Sequence, residues 1–260
     1  YKRCPDRRMP NKKVLKNIRL IIEYNGARYC GWQAQPNAKK KSIQAVIEKA
    51  LFGIIREKVK LIASGRTDAG VHALAQVANF QTANPIPLNK LKLGLNSLLP
   101  KDIKISRIEK ASRSFHSRFS SKSKLYRYTI LNRGHSSPLL EGKVLFYPHK
   151  LDVGLMRRES GVLLGRHDFS SFCASLGKEK NPVKRIKKLN IFRRGDFIYI
   201  DIEADGFLYN MIRNIVGTLI DVGRGRLANG RLKEILLSKD RRLAGQTVLP
   251  GGLCLLKVKY

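Results

Sequence analysis

Acidic residues are scarce in this 260-residue chain, where 19 Asp and Glu stand against 52 Lys and Arg and leave a formal net charge of +33. A surplus of this size attracts polyanions through counterion release and electrostatic steering. Nucleic acid is therefore the first class of partner to consider.

Long apolar runs are also lacking. No stretch approaches the ~20 apolar residues that a membrane-spanning helix needs, and no signal-like apolar segment lies near the start of the sequence. The sequence therefore predicts a soluble, cytoplasmic protein with no membrane partner.

Residues typical of metal sites are few and scattered. The four cysteines show no C-x-x-C pairing, and we interpret them as reduced packing residues: Cys4, Cys30, Cys173 and Cys254. Three of the histidines also lack metal-ligand spacing: His72, His116 and His167. We predict no metal ion and no cofactor.

Hydrophobic periodicity indicates the elements that are present. In the first half it predicts strands near 18–24, 74–80 and 103–108 and helices near 43–55 and 88–98. In the second half it predicts strands near 124–131, 186–192, 197–204 and 253–258 and helices near 151–164, 208–220 and 231–237. The economical architecture is an α+β fold of two similar α/β halves, with mostly antiparallel sheets and a central cleft.

This pattern divides the chain into three parts. Residues 1–17 carry seven basic residues against one acidic residue and show little apolar periodicity, so we predict a flexible basic arm. The arm is either a solvated tail or an RNA contact. Residues 18–112 and 113–260 then form an N-terminal and a C-terminal α+β domain.

The motif GRTDAGVH at residues 65–72 places the carboxylate of Asp68 between two glycines. Glycines permit backbone angles closed to other residues, so Asp68 is predicted on an exposed, stiff turn. Arg66, two positions away, is expected to lower the pKa of Asp68 and to keep it ionised as a nucleophile or base. The alternative is that Asp68 only caps a turn and pairs with Arg66.

Tyr126 and Tyr128 are two residues apart in a predicted strand, so their rings share one face while Arg127 points to the other. With Lys122 and Lys124 nearby, the pattern is typical of platforms on which nucleic-acid bases stack. Ordinary packing of strand tyrosines is the alternative.

Further cations extend this basic pattern. Arg213 interrupts an apolar helix near the edge of the core, where it either reaches a carboxylate in the cleft or keeps its head in water. A basic run is either a solvated face or a track for phosphates: Lys178, Lys180, Lys184, Arg185, Lys187 and Lys188.

Several blocks taken together resemble the TruA-type tRNA pseudouridine synthases. The motif at 65–72 is the most specific, and the others, in order along the chain, are EYNG at 23–26, YCGWQ at 29–33, FHSRFS at 115–120, YRY at 126–128, HDF at 167–169, SF at 171–172 and MIRNIVG at 211–217. Two positions depart from the family pattern: Cys30, where an aromatic residue is frequent, and Leu125, where Arg or Lys is common.

The resemblance implies the pseudouridine synthase fold and an isomerase that converts uridine to pseudouridine at positions 38, 39 and 40 of the tRNA anticodon arm. It implies a homodimer and no cofactor. It assigns Asp68 as the catalytic carboxylate, Tyr126 against the uracil ring, Arg213 as the partner of Asp68, and Arg66 as the residue that replaces the extruded uridine.

Two other functions fit parts of the sequence. A non-catalytic basic RNA-binding or ribosome-associated protein would account for the charge and would leave the motif at 65–72 unexplained. A carboxylate-dependent nucleosidase would release free uracil, although a glycosidase also needs a second group to activate water.

Overall fold

We describe residues 15–33, 40–175 and 181–260 of a computed structural model of the chain. Ten strands are formed by these residues: β1 Lys16–Tyr24, β2 Ile62–Ala63, β3 His72–Thr82, β4 Ile103–Ala111, β5 Ser123–Leu131, β6 Leu145–Phe146, β7 Gly165–Asp168, β8 Val183–Arg194, β9 Phe197–Ala204 and β10 Leu253–Lys259. The same described residues form five α-helices: α1 Ile43–Ile55, α2 Leu88–Leu98, α3 Val153–Ser160, α4 Met211–Gly223 and α5 Arg231–Ser238.

The strands form one sheet in the order β4-β1-β3-β10-β5-β9-β8-β7, with β2 paired to β3 and β6 paired to β5. The pairings are antiparallel except for β10 with β3 and β5 with β6. The predicted mixed α/β, mostly antiparallel fold is confirmed. The last strand, β10, lies between β3 and β5 and so joins strands from the two halves of the sequence.

Local sequence explains the first elements. Along β1, Ile18, Leu20 and Ile22 are buried while Arg19 is half-buried, as the alternating pattern predicts. The hydroxyl of Ser42 accepts a hydrogen bond from the Ala45 backbone N–H (3.1 Å) and caps α1. The strand begins two residues earlier than predicted and includes part of the expected arm, whose residues 1–14 lie outside the described part.

Two of the observed helices differ at their ends from the ranges that the sequence predicts. The helix expected at 151–164 is α3, which is followed by a 3-10 turn. It begins after Asp152, because the carboxylate of Asp152 accepts a hydrogen bond from the Leu155 backbone N–H and caps the helix. The helix expected from 208 begins at Met211, because Asn210 adopts a left-handed backbone conformation with φ of 59°.

Helix α4 is almost wholly buried, and it packs against α3 through Gly223, where an added Cβ would lie 2.8 Å from the Met156 sulfur. This packing anchors the helix whose first turn carries Arg213. Within the described part of the chain, no helix has the length and apolar character needed to span a membrane.

Candidate active site

The predicted turn is present between β2 and β3. The Val71 backbone N–H donates to the Asp68 carbonyl (3.2 Å), and Gly70 has a φ of 80°. A positive φ at the third residue is what a type II turn requires, and glycine meets that requirement without strain. The turn therefore fixes the backbone of Asp68.

A second segment packs directly on this turn. Gly31, with a φ of 101°, lies so close that a Cβ added to it would be 2.6 Å from the Thr67 carbonyl oxygen. The Trp32 N–H donates to that same carbonyl (3.0 Å), and the hydroxyls of Tyr24 and Thr67 share a hydrogen bond of 2.8 Å. The buried neighbours hold the turn in one conformation.

Asp68 forms an ion pair with Arg213. The Arg213 Nη1 lies 3.7 Å from Asp68 Oδ2, with 15% of the Arg213 side chain exposed and 27% of the Asp68 side chain exposed. Arg213 is itself held in place, because its Nε donates to the Val248 carbonyl (2.7 Å) and its Nη1 donates to Asn210 Oδ1 (2.8 Å). Its head group is thus directed toward the turn and not into water.

The electrostatic prediction for Asp68 was wrong in two respects. Burial raises the pKa of Asp68 above its ordinary value, and the opposing effect comes from Arg213, not from Arg66. Arg66 is exposed and makes no ion pair or hydrogen bond with any described residue. The sequence could not reveal the burial, which depends on packing from distant segments.

Tyr126 is buried on β5, with 7% of its surface exposed, and its ring meets the Phe207 ring edge-on at 5.2 Å. Burial raises its pKa, with smaller contributions from Tyr24 and Asp68, so the phenol stays neutral near pH 7. Its hydroxyl makes no hydrogen bond with a described residue. This places a neutral phenol close to the paired carboxylate of Asp68.

The neighbours of Tyr126 on β5 have structural contacts. Tyr128 is fully buried, and its hydroxyl donates to the Leu249 carbonyl (2.6 Å), so the packing alternative holds for Tyr128. Of the two alternatives for this pair of rings, packing is therefore the one that the contacts of Tyr128 support. Arg127 forms a two-point ion pair with Asp201 at 2.7 and 2.8 Å, and its charge is not available beside Tyr126.

The histidines have backbone partners. His72 Nδ1 accepts from the Gly26 N–H (3.1 Å), and its Nε2 lies 2.8 Å from the Gly142 carbonyl, while burial lowers its pKa. Among the residues that the structure describes, no group of three or more His, Cys, Asp or Glu side chains is placed to hold a metal ion.

Two surface pockets lie beside these elements. One of about 410 Å³ has the backbone of Ala69 and Gly70 in its wall. Another of about 740 Å³ lies at the far end of α4, beside Gly223. Asp68, Tyr126 and Arg213 line neither of these two pockets.

Sequence reasoning missed the residues that position Arg213. Val248 and Asn210 lie on opposite sides of the helix in sequence, and each contributes only one oxygen atom. The one signal near them is the glycine-rich and proline-containing segment at 245–252, which marks a loop without indicating its partner.

Comparison with known proteins agrees with this geometry. A sequence model described as tRNA pseudouridine synthase matches residues 20–120 and 161–260. The chain is 44% identical over 246 residues to tRNA pseudouridine synthase A of Thermoanaerobacter sp. strain X514 and 46% identical over 246 residues to that of Caldicellulosiruptor saccharolyticus. It is 46% identical over 247 residues to tRNA pseudouridine synthase A 2 of Clostridium perfringens.

Each of the three alignments covers 95% of this chain and the full length of the relative. The family match spans well over half of the sequence, and it includes the Asp68 turn and the helix of Arg213. The chain therefore belongs to the tRNA pseudouridine synthase family, whose members are isomerases.

Proposed function

We propose that this protein isomerises uridine to pseudouridine at positions 38, 39 and 40 of the anticodon arm of tRNA, with Asp68 as the catalytic carboxylate. The observation that carries the proposal is the ion pair between Arg213 and the Asp68 carboxylate on its rigid turn. The buried phenol of Tyr126 is near enough for the charge of Asp68 to raise its pKa. The choice of tRNA positions rests on the resemblance to TruA-type enzymes.

The reaction needs few protein groups. The bond from ribose C1′ to uracil N1 breaks, the base turns, and C1′ joins C5, with the proton leaving C5 and one proton gained at N1. No atom is lost in the net reaction, and the detached base replaces the water that a glycosidase would use. One carboxylate, which adds to the sugar or removes a proton from it, therefore suits this chemistry.

The other residues support this carboxylate. Arg213 opposes the effect of burial on the pKa of Asp68 and so favours the ionised carboxylate. Tyr126 lies against the uracil ring and assists removal of the C5 proton. Arg66, exposed and without a partner among the described residues, enters the space that the extruded uridine leaves, at an unstacking cost of a few kcal/mol.

The site joins the two proposed domains. Asp68 belongs to residues 18–112, whereas Tyr126 and Arg213 belong to residues 113–260, so the ion pair links these two parts of the chain. This arrangement supports the division into two halves. It also allows RNA to reach the carboxylate from the side on which Arg66 is exposed.

The assembly and location are also part of the proposal. By resemblance to the family, the protein is a cytoplasmic homodimer that holds tRNA in basic clefts, chiefly by its shape and phosphates. Light scattering of the purified protein should give twice the mass of one 29.5 kDa chain. A mass of one chain at micromolar concentration would contradict the dimer.

The decisive experiment for the function is pseudouridine mapping on tRNA from cells that lack the protein. The anticodon arm of this tRNA should carry uridine at positions 38 to 40, and treatment with the purified protein should convert it. RNA that is bound but unchanged would favour the non-catalytic RNA-binding protein. Release of free uracil would instead favour a nucleosidase.

A further inference from the structure

The side chain of Lys124 lies against Gly65, the first residue of the motif that carries Asp68. A Cβ added to Gly65 would be 3.1 Å from Lys124 Cε and 4.0 Å from its Nζ, so Gly65 leaves the space that this lysine occupies. Lys124 is two residues before Tyr126 on β5 and therefore projects from the same face of the strand. Its contact with Gly65 and its position on the same face as Tyr126 both place Lys124 near the candidate active site.

The Lys124 ammonium lacks the anionic partner that comparable lysines have. It makes no hydrogen bond or ion pair with any residue that the structure describes, although its side chain is half-buried. By contrast, Lys259 pairs with Glu203 at 2.8 Å and Lys239 pairs with Asp168 at 3.6 Å. An ammonium that is partly withdrawn from water and unpaired costs free energy unless a ligand supplies the anion.

Other charges around Lys124 are mostly cations. Burial lowers the pKa of Lys124, Arg118 and Lys184 lower it further, and Asp205 opposes them. The carboxylate of Asp205 is already engaged, since its Oδ1 accepts from the Arg185 backbone N–H (3.0 Å). The three cations therefore form a local excess of positive charge around the Lys124 ammonium, which favours binding of an anion.

We propose that Lys124 binds a phosphodiester that flanks the target uridine and so positions the extruded nucleotide over Asp68. This inference rests on the proposed function, because that function brings RNA to this site. The flanking phosphate is the anion that any extruded nucleotide carries with it, and a lysine recognises it as a point charge. Lys124 is a positioning residue and does not touch the reacting atoms.

The test combines a protein variant with a modified RNA. Lys124→Gln and wild type are compared on an anticodon stem-loop and on two stem-loops in which the phosphate 5′ or 3′ of the target uridine is a neutral methylphosphonate. Dissociation constants and single-turnover rates of pseudouridine formation are measured for each combination. Lys257→Gln is the matched control, because Lys257 is exposed and pairs with Leu125 on the opposite face of β5.

We expect Lys124→Gln to weaken binding of the unmodified stem-loop by about 10-fold to 100-fold, as for loss of a hydrogen bond to a charged group. The slope of log K against log salt should fall in magnitude by about 0.7 to 0.9. One of the two methylphosphonate RNAs should bind wild type and Lys124→Gln with equal affinity, because the phosphate that Lys124 contacts is neutral in that RNA. Lys124→Arg should recover most of the affinity.

Equal weakening by Lys124→Gln on all three RNAs, or an effect no larger than that of Lys257→Gln, would overturn the inference. Because the substitution removes an unpaired charge, the unfolding temperature should not fall, and a fall would indicate a structural role instead. If wild type binds the RNA but forms no pseudouridine, the proposed function fails, while the binding data still decide the role of Lys124.

Discussion

At the scale of single residues, the site depends on two opposing effects on Asp68. Burial raises the pKa of its carboxyl group, and the guanidinium of Arg213 at 3.7 Å lowers it. Because the raised pKa means that the folded protein binds this proton more tightly, ionising Asp68 costs stability as pH rises through that pKa. The ionised form, which the proposed mechanism uses, is thus the less stable form, and Arg213 reduces this cost.

The pH dependence of Arg213 variants tests this balance. In Arg213→Gln the pKa of Asp68 should rise further, so the acidic limb of the pH profile of single-turnover pseudouridine formation should move to higher pH. Arg213→Lys, which keeps the positive charge, should leave the limb close to that of wild type. An unmoved limb in Arg213→Gln, or a shift to lower pH, would show that Arg213 does not control the ionisation of Asp68.

The two tyrosines of β5 give a matched pair of variants. Tyr126→Phe should reduce the rate by up to about 10²-fold if its hydroxyl assists proton removal, with tRNA affinity unchanged. Tyr128→Phe should instead cost about 1 kcal/mol of stability through loss of the hydrogen bond to Leu249, with little change in rate. Single-turnover kinetics measures the rates, and urea unfolding measures the stabilities. A stability loss without a rate loss in Tyr126→Phe, or a large rate loss in Tyr128→Phe, would contradict these roles.

At the scale of elements, helix α4 positions Arg213 because the face that carries this arginine packs closely on a loop. A Cβ added at Gly217 would lie 1.8 Å from the carbonyl oxygen of Gln246, in the loop that also carries Val248. Since the Val248 carbonyl accepts from Arg213, one close contact sets both the helix and its arginine. Only glycine allows this approach.

We therefore expect Gly217→Ala to lower the free energy of unfolding by about 1 to 3 kcal/mol or more. Its folded fraction should also lose activity, because the loop that holds Arg213 must move. Gly161→Ala is the control, since an added Cβ there meets nothing within 4 Å. Urea unfolding and single-turnover rates on the folded protein measure both effects, and equal behaviour of the two variants would contradict the account.

The elements were largely predictable from sequence because their signals are local. Alternation in β1 and the cap at Ser42 depend on neighbouring residues, and the structure confirms both elements. Strand β7 was missed because Gly165–Asp168 is too short to show a period. The pairing of β10 with β3 could not be predicted, since it joins residues 254 and 72 across most of the chain.

The same distinction applies to the site. The turn that carries Asp68 could be predicted from the motif at 65–72, because the two glycines and the carboxylate lie together in sequence. The direction of its pKa shift was mispredicted, because the burial arises from Gly31 and α4, which are remote in the chain. The predicted basic track for phosphates stays a prediction, and two of its residues, Lys178 and Lys180, lie outside the described residues.

At the scale of the whole molecule, the net charge of +33 should govern binding more than catalysis. If about six phosphates are contacted, tRNA affinity should fall by roughly 10³ between about 50 and about 200 mM salt. The rate at saturating enzyme should change little over that range. Binding that is nearly independent of salt would contradict recognition through phosphates.

The central claim is that Asp68 performs the isomerisation, and pseudouridine formation by Asp68→Asn on an anticodon stem-loop tests it most directly. The amide keeps the size of the side chain and removes its charge, so tRNA binding and its salt dependence should persist. The rate should fall by about 10² to 10⁴ or more. Pseudouridine formation at the wild-type rate by this variant would contradict the account.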